Sequence, residues 1–439
     1  MENRGKAKPI HMILRVAYAA ALASANLLPA QADAVDQGQQ IAGEAIKAAD
    51  AGNFATAADL FAKALALRPN HPGLTLRLAR TSARAGRNDA AVRALADYAA
   101  MGLTTDPNHP DFKSVAADPR MTAIRATLVD NAKPVGTPAV FATVDEPRLL
   151  AEGIAHDPSI GRTYISDVHK RRVLTIDAAG KTSTLIGEGA NGLLGAFGIT
   201  LDNGTLWIAG SALPQTANLK PADKGRAGIF AFDTDGRFKK SVLLAAKGKE
   251  FALGDLAVAK TGDVFASDSI GAGIYRLAPA GTAVETFIES DEFHSPQGIA
   301  LSADEAKMAI ADYANGIHII DRAAKRDIVL AMPPHTTLHG IDALIRHGRD
   351  LIAVQNGIDP QRVIVIRMKP DWTTIESAEV LAANLPDMSE PTLATLVDGD
   401  LLIIGNGQWS RFNDDGTIKG EEPFAPTRIL RLKLPPARP

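Results

Sequence analysis

The chain has no cysteine among its 439 residues. This absence excludes disulfide bonds, thiolate metal sites, a cysteine nucleophile and a lipid anchor on cysteine. An excess of one charge is also lacking, because the formal net charge is −3 at pH 7. The chain therefore offers no broad basic field to nucleic acid or to an anionic membrane surface. Small molecules are better suited to this composition as partners.

Long apolar runs and the common catalytic motifs are missing as well. Beyond the N-terminus, no stretch approaches the roughly 18 uninterrupted apolar residues of a membrane span. The sequence has no G-x-S-x-G elbow, no H-E-x-x-H, no phosphate-binding loop and no G-x-G-x-x-G opening a helix. A function must therefore be sought outside the enzyme classes that these patterns mark.

The first 34 residues have the pattern of a secretory signal. Basic residues come first, an Ala/Leu-rich stretch follows, and Ala32-Asp33-Ala34 has the small-x-small form that signal peptidase accepts. The alternatives are an amphipathic first helix and an uncleaved anchor. We expect a cleaved signal over residues 1–34 and a mature protein that is periplasmic or secreted.

A helical repeat follows the signal. Two copies of the tetratricopeptide pattern lie 34 positions apart, with Gly52, Ala57 and Phe61 in the first and Gly86, Ala91 and Leu95 in the second. The small residues allow close helix packing, and Phe61 and Leu95 are expected to fill the space between helices. Two copies are fewer than the three that usually stand alone. The pair is therefore expected to dock on a protein partner, on a second copy of the chain or on the domain that follows.

The sequence divides into four parts. After the signal at 1–34 come the tetratricopeptide-like repeats at 35–105 and a helical linker at 106–138. From residue 139 to residue 439, short strand patterns alternate with turn residues, which is typical of a sandwich, barrel or propeller. The sequence thus predicts a small all-α domain followed by a larger all-β domain.

One unit recurs six times in the β domain. The copies open at "AEGIAHD" (Glu152), "GAFGITLD" (Phe197), "LGDLAVAK" (Asp255), "SPQGIALS" (Gln297), "LHGIDALI" (His339) and "SEPTLATL" (Glu390). Each opening is followed by a second strand that ends on a polar or small pair, and in most units by a third strand. This spacing predicts a six-bladed propeller, with the opening residues at the mouth of a central channel. The strand at 138–144 is expected to complete the last blade.

The β domain resembles the family of senescence marker protein, gluconolactonase and luciferin-regenerating enzyme. The resemblance rests on "EGIAHDPSIGRTYISDVHKRRVLTID", "SPQGIALSADEAKMAIADY" and "GIDALIRHGRDLIAVQNG", and propellers of the NHL type look similar. It implies a six-bladed propeller that holds a divalent cation, often Ca²⁺, at the channel mouth and hydrolyses lactones or related esters. The family's metal ligands are a Glu of the first blade, two Asn and an Asp.

Only one of these ligands is present unchanged. Glu152 matches the family's Glu, Gln297 takes the place of one Asn, and His339 takes the place of the Asp. The other Asn falls on Gly254, with Asp255 beside it. The resemblance therefore implies a metal site at Glu152, Gln297, His339 and Asp255. A His ligand suits Zn²⁺ or another transition ion such as Mn²⁺ better than Ca²⁺.

Two functions follow from this reading. In the first, the protein is an exported metal-dependent hydrolase of a small lactone or ester, with His339, Asp255 and Glu390 as catalytic residues and Phe197 as an apolar wall. In the second, the propeller is a non-catalytic scaffold that recruits a protein through its helical repeats. The fold alone does not decide between them, and an enzyme of another class on the same scaffold is a third alternative.

Overall fold

The structure is a computed structural model that describes residues 34–245 and 248–439. The predicted signal peptide lies outside the described residues except for Ala34. In the described part, a helical region comes first and an all-β region follows.

The helical region consists of five α-helices. They are α1 (Ala34–Asp50), α2 (Phe54–Leu67), α3 (Pro72–Arg84), α4 (Asn88–Ala100) and α5 (Arg120–Asn131). A 3₁₀ turn, Pro110–Val115, lies between α4 and α5. None of the helices in the described part of the chain is long and apolar enough to cross a membrane.

The helices pair as the repeat pattern predicts. Helix α1 packs on α2, and α3 packs on α4. Phe61 and Leu95 are both buried, and Phe61 packs with small residues of α1 and α2. Helix α3 begins at Pro72, which has no amide hydrogen that would lack a partner in the first turn. The His71 ring accepts a hydrogen bond from the Leu74 amide and caps the same turn.

The β region consists of six four-stranded antiparallel sheets, one for each blade. Blade 1 contains β2 (Ala151–Asp157), β3 (Arg162–Asp167), β4 (Arg172–Ile176) and β5 (Thr182–Ile186). Blade 2 contains β6 (Gly195–Asp202), β7 (Thr205–Ser211), β8 (Ala227–Asp233) and β9 (Phe238–Leu243). Blade 3 contains β10 (Leu253–Val258), β11 (Val264–Asp268), β12 (Gly273–Leu277) and β13 (Val284–Glu289). Blade 4 contains β14 (Pro296–Leu301), β15 (Lys307–Asp312), β16 (Gly316–Asp321) and β17 (Arg326–Val329). Blade 5 contains β18 (Ile341–His347), β19 (Asp350–Gln355), β20 (Arg362–Met368) and β21 (Ile375–Ala383). Blade 6 contains β22 (Ala394–Val397), β23 (Asp400–Ile404), β24 (Thr427–Lys433) and β1 (Ala139–Val144).

The ring is closed by its two ends. Strand β1 pairs antiparallel with β24, and the sheet order is β1-β24-β23-β22. The first strands of neighbouring blades contact one another around the ring, which places β2, β6, β10, β14, β18 and β22 innermost. The predicted six-bladed propeller with a small helical N-terminal region is confirmed, and so is the closing role of the strand at 138–144.

Buried aspartates connect the ends of the second strands to the loops that precede the innermost strands. Asp167, Asp268 and Asp312 are fully buried. Asp312 Oδ2 accepts the amides of His294 and Ser295 at 2.7 and 2.9 Å. Asp167 and Asp268 accept amides in the corresponding loops of their own blades. These aspartates thus bond to backbone amides within their own blades.

The helical region docks on blades 4 and 5 of its own propeller. In the loop between α2 and α3, Arg68 donates to the Ala314 carbonyl at 2.9 Å and Asn70 to the Pro333 carbonyl at 3.3 Å. After α4, the buried Arg362 of β20 donates to the Met101 carbonyl at 3.0 Å. Ile358, which precedes β20, belongs to the same apolar cluster as α3, α4 and α5. Part of the helical core is thus supplied by the propeller.

The docked interface predicts a stability effect at Ile358. Its side chain is 8% exposed, so Ile358→Ala should leave a cavity between the two regions and lower the free energy of unfolding by about 2–4 kcal/mol. Ile160→Ala is the control, because Ile160 is 50% exposed and should change stability by less than about 0.5 kcal/mol. Urea unfolding of the full chain measures both. Equal effects would contradict the docked arrangement.

Candidate active site

The innermost strands of blades 1 to 5 share an irregularity near their N-terminal ends. In each strand the register with the second strand shifts at a β-bulge, at Glu152-Gly153, Phe197-Gly198, Gly254-Asp255, Gln297-Gly298 and Asp342. A bulge re-aims a side chain and often lies next to a functional site. Five blades therefore present a bulged residue at the same end of the channel.

In blades 1, 2 and 4 a Gly follows the channel residue because neighbouring blades approach closely there, whereas Asp255 holds this second position in blade 3. A Cβ on Gly298 would overlap the backbone of Leu344 in the next blade. A Cβ on Gly153 or on Gly198 would likewise overlap the backbone of the next blade. In blade 5 the corresponding pair is Asp342-Ala343. The small neighbour is thus part of the pattern that marks the channel residue.

The alignment of His339 with the channel position of blade 5 is corrected. His339 precedes β18, and the bulge of that strand is at Asp342. The dipeptide His339-Gly340 imitates the pattern, but Gly340 has φ of 72° and packs against Gly357, so it forms a turn. Asp342 therefore holds the position that sequence alignment gave to His339.

Glu152 is the most strongly perturbed carboxyl group of the mouth. It is 7% exposed, and its Oε2 accepts a hydrogen bond from Trp409 Nε1 at 2.7 Å. Burial raises the pKa of Glu152 well above its ordinary value, and the negative charges of Asp342, Asp255 and Glu390 raise it further, against the opposing effect of the Trp409 hydrogen bond. The surroundings of Glu152 therefore favour its protonated form over its ionised form.

Asp342 forms the second carboxyl group of the mouth. Asn356 donates to its Oδ2 at 2.7 Å and to the Pro391 carbonyl at 2.9 Å. The Tyr313 hydroxyl donates in turn to Asn356 Oδ1 at 2.9 Å. Burial raises the pKa of Asp342, and the Asn356 hydrogen bond lowers it. The net effect raises the pKa of Asp342 to about 6. Asn356 and Tyr313 hold its carboxyl group in one orientation.

Asp255 bridges blades 3 and 4. Its Oδ1 accepts the Leu256 amide at 2.8 Å, and its Oδ2 accepts the Ile299 amide at 3.3 Å. Burial raises the pKa of Asp255 to about 7, although both backbone amides lower it. Because each oxygen already has a donor, Asp255 is held more rigidly than Glu152.

The other predicted site residues have local partners. The Gln297 side chain lies over Gly254, where a Cβ would meet it, and donates to Ser295 Oγ at 3.1 Å. Glu390 accepts both the amide and the hydroxyl of Ser410, at 3.0 and 3.2 Å. Burial raises the pKa of Glu390, and the bonds from Ser410 lower it. Glu390 thus anchors the loop that carries Trp409.

His339 contacts the helical region. Its ring centroid lies 4.9 Å from that of His71, the residue that caps α3. Burial lowers the pKa of His339 to about 3, with a smaller contribution from the charge of Arg68. Burial also lowers the pKa of His71 well below its ordinary value. Both imidazoles are therefore neutral at the boundary between helices and propeller.

The four positions predicted to bind metal do not form an evident ligand set. Both oxygens of Asp255 accept amides, one oxygen of Glu152 accepts an indole, and His339 packs on His71. Within residues 34–245 and 248–439 no group of three or more His, Asp or Glu side chains is arranged to hold a metal ion. The roles predicted for these four residues and the catalytic role of Glu390 stay predictions.

Sequence reasoning missed four contributors to this region. Asp342 could have been found by requiring a small residue after the channel residue, because Asp342-Ala343 meets that condition. Asn356 directly follows β19, the second strand of blade 5, and nothing in the repeat pattern indicates its contact with Asp342. Trp409 and His71 lie outside the six repeats, so no repeat pattern marks them.

Comparison with known proteins gives one family match in the helical region and several similar solved structures. Residues 48–118 match the tetratricopeptide repeat family. No curated protein has a sequence that matches the chain. Similar solved structures include a gluconolactonase from Xanthomonas campestris, with 18% identity, 68% of this chain and 94% of that chain covered, and a TM-score of 0.45. They also include a luciferin-regenerating enzyme, with 13% identity, coverage of 68% and 95%, and a TM-score of 0.46.

The similar structures cover more than one chemistry. An aldose sugar dehydrogenase from Streptomyces coelicolor, in its PQQ-bound form, has 13% identity, coverage of 69% and 99%, and a TM-score of 0.45. Gluconolactonase and luciferin-regenerating enzyme, named in the sequence resemblance, are thus among the matches. At these identities the likeness concerns the fold alone, and the activity must be inferred from the site.

The His71–His339 contact predicts a dependence of stability on pH. The folded-state pKa of each histidine is below the unfolded value of about 6.5, so the unfolded chain binds more protons as the pH falls below that value, and stability is lost. His71→Asn keeps an acceptor for the α3 cap and removes this proton uptake. Between about pH 7 and pH 5 the variant should lose about 2 kcal/mol less stability than the wild type.

The control is the same substitution at His335, an exposed residue four positions before His339. His335→Asn should show the wild-type loss of stability on acidification. Denaturant unfolding at both pH values gives the loss of unfolding free energy for each variant. The buried carboxyl groups change stability in the opposite direction, but they do so equally in all variants, so their contribution cancels in the difference. A wild-type loss in His71→Asn would contradict the neutral histidine contact.

Proposed function

We propose that the protein hydrolyses a small, uncharged lactone or ester at the channel mouth. The observation that carries this proposal is the pair of buried carboxyl groups at the bulges of blades 1 and 5, with Glu152 held by Trp409 and Asp342 held by Asn356. Such a pair shares protons unequally, because one group keeps a proton while the other is ionised. General acid and general base are then available at one site.

The hydrogen bonds of the pair assign the roles. The ionised Asp342, oriented by Asn356, accepts a proton from the attacking water as the water oxygen bonds to the carbonyl carbon. The protonated Glu152 donates its proton to the leaving oxygen as the carbon–oxygen bond breaks. The ester yields an acid and an alcohol, and a lactone yields a hydroxy acid. Asp342 then releases its proton to solvent and Glu152 takes one up, which returns the pair to its starting state.

The charges around the site indicate the substrate class. Three acidic groups, Asp342, Asp255 and Glu390, act on Glu152 and raise its pKa. A negatively charged substrate would be repelled from such a site. The Phe197 ring, 5.9 Å from the Trp409 ring, adds an apolar surface beside the carboxyl groups. An uncharged ring compound suits both features.

The divalent cation stays a separate proposal. Ca²⁺, Zn²⁺ or Mn²⁺ is implied by the sequence resemblance, and the acid–base steps above use none of them. Binding of an ion should be tested on the purified protein by elemental analysis and by titration, with and without a chelator, in the same experiments as hydrolysis.

Substitution of the pair tests the proposed activity. Glu152→Gln and Asp342→Asn keep the shapes of the side chains and remove the acid or the base, so each should lower kcat/KM by about 100-fold or more. Glu379→Gln is the matched control, because Glu379 lies on β21, the outermost strand of the blade that carries Asp342. A panel of neutral lactones and aryl esters measures the rates.

Three outcomes would decide against this function. Wild-type protein that hydrolyses nothing removes the enzyme proposal and leaves the scaffold alternative. Full activity in Asp342→Asn removes the assigned base. Activity that a chelator abolishes and a divalent ion restores replaces the acid–base pair with a metal-dependent mechanism.

The scaffold alternative is supported by the tetratricopeptide match over residues 48–118. Repeats of this kind pair helices into surfaces that can bind another protein. In this chain the loop between α2 and α3 already contacts the propeller. A protein partner would therefore have to use another face of the helices.

Export is proposed from the N-terminal pattern. If residues 1–34 are a cleaved signal, protein recovered from the periplasm or medium should begin near Val35. N-terminal sequencing of that fraction checks the prediction, with the cytoplasmic precursor as the comparison. An intact Met1 in the exported fraction would contradict it.

A further inference from the structure

A loop of blade 6 lies across the channel mouth toward blades 1 and 2. It connects β23 to β24 over residues 405–426. Gln408 donates to the Leu149 carbonyl at 3.4 Å, and Gln215 of blade 2 donates to the Asn413 carbonyl at 3.1 Å. These contacts hold the loop against blades other than its own.

The loop brings Trp409 to the bulged residues of blades 1 and 2. Trp409 begins a 3₁₀ turn, Trp409–Arg411, and the following Ser410 is held by Glu390 through its amide and its hydroxyl. The indole Nε1 donates to Glu152 Oε2 at 2.7 Å, which fixes the edge of the ring. The position of the indole at the mouth is therefore set by the loop and by blade 1 together.

Trp409 and Phe197 form an aromatic wall beside the carboxyl groups. Their ring centroids lie 5.9 Å apart at an interplanar angle of 39°, which is a contact distance for two aromatic rings. A ligand therefore lies against this wall and not between its rings. Phe197 is 5% exposed and belongs to a buried apolar cluster, whereas the indole packs on that cluster and is only partly buried. Trp409 is thus the part of the wall that a ligand can reach.

The polar side chains around the wall are largely committed to the protein itself. Both oxygens of Asp255 and both oxygens of Glu390 accept hydrogen bonds from protein donors. The Asn356 amide group donates two hydrogen bonds and accepts one from the Tyr313 hydroxyl. These groups are therefore poorly placed to pair with the hydroxyl groups of a ligand.

We propose that the mouth selects a lactone or ester whose ring system is aromatic, and that Trp409 is the specificity-determining residue. This inference rests on the proposed hydrolase function. An aromatic ring of the substrate stacks on the accessible part of the indole. Because the indole contacts Glu152, a ring stacked on it lies next to the carboxyl groups that are assigned to the reaction.

The same surroundings disfavour a polyhydroxylated sugar lactone. Each hydroxyl group that leaves water without finding a partner weakens binding, and the paired side chains of the mouth offer few such partners. A largely apolar site discriminates against one added hydroxyl by up to about 100-fold. Since a sugar lactone carries several hydroxyls, it should be the poorest substrate among lactones of the same ring size.

Binding of the aromatic ring can be tested without hydrolysis. Chroman has the ring system of dihydrocoumarin without its ester group, and tetrahydropyran is the matching ring without the aromatic part. The chain has three tryptophans, so a ¹⁵N-labelled sample gives three indole N–H signals in NMR, assigned by Trp207→Phe, Trp372→Phe and Trp409→Phe. Chroman should shift the Trp409 signal, and tetrahydropyran at the same concentration should shift it far less.

The Trp207 signal is the internal control for this titration. Trp207 pairs with Thr200 toward the end of β6 that is opposite the mouth, and the Lys240 ammonium lies 5.3 Å from the centre of its ring. Its signal should stay constant while chroman is added.

Substrate selection is tested with three lactones of one ring size, namely dihydrocoumarin, δ-valerolactone and glucono-δ-lactone. Each kcat/KM is divided by the rate constant of hydroxide hydrolysis, which removes differences in intrinsic reactivity. The wild type should prefer dihydrocoumarin to glucono-δ-lactone by about 100-fold or more. δ-Valerolactone, which has neither the aromatic ring nor the hydroxyls, should lie between them.

The role of Trp409 is tested by the ratio of the dihydrocoumarin rate to the δ-valerolactone rate. Trp409→Ala should lower this ratio about tenfold through a higher KM for dihydrocoumarin. Loss of the hydrogen bond to Glu152 affects both substrates alike, so it cancels in the ratio. Trp409→Phe keeps a ring and should retain the ratio within about threefold, and Trp207→Phe should leave it unchanged.

The outcomes separate this inference from the proposed function. If the protein hydrolyses lactones but prefers glucono-δ-lactone, or if Trp409→Ala keeps the wild-type ratio, the substrate class is overturned and the hydrolase function stands. If chroman shifts the Trp409 signal but no lactone or ester is hydrolysed, the proposed function is overturned and the wall remains a binding surface for aromatic rings. A Trp409 signal that chroman leaves unchanged overturns the inference whatever the rates.

Discussion

The pairing of β1 with β24 closes the ring, and the positions of the other elements depend on it. A propeller that lacked this pairing would expose the edge of β24 and leave blade 6 one strand short. Closure fixes the innermost strands in a circle, so bulges at the same point of each strand meet at the same end of the channel. Residues far apart in sequence, such as Glu152 and Asp342, are brought to the same end of the channel for this reason.

The same closure determines where the helices lie. The segment that leads from α5 to β1 passes blade 5, where Val135 pairs with Ala383. Asn384 donates to the carbonyls of Asn131 and Lys133 nearby. The helices are thereby held over blades 4 and 5, and the loop that carries Trp409 crosses blades 1 and 2 from the other side. Two unrelated segments together enclose one mouth.

The repeats predicted most of the propeller and only part of the site. Glu152, Phe197 and Gln297 were placed correctly because a residue followed by Gly marks the bulge in each case. The channel residue of blade 5 was assigned wrongly because His339 is also followed by a Gly. Gly340, however, belongs to a turn before the strand and not to its bulge. Asn356, Trp409 and His71 could not be predicted from the repeats, since their positions depend on a second strand, a loop and a docked helix that only the folded chain brings together.

Enclosure of the mouth explains why the pKa values of its carboxyl groups are raised. A carboxylate taken out of water needs a cation or several donors to remain charged. Asp255 receives two backbone amides, Asp342 one amide from Asn356, and Glu152 one indole N–H, while their charged neighbours are acidic. Burial beside acidic neighbours therefore favours the neutral form of Glu152. A group that is neutral because of its surroundings can give up its proton when a leaving oxygen develops charge beside it, and that is the property that the proposed reaction requires.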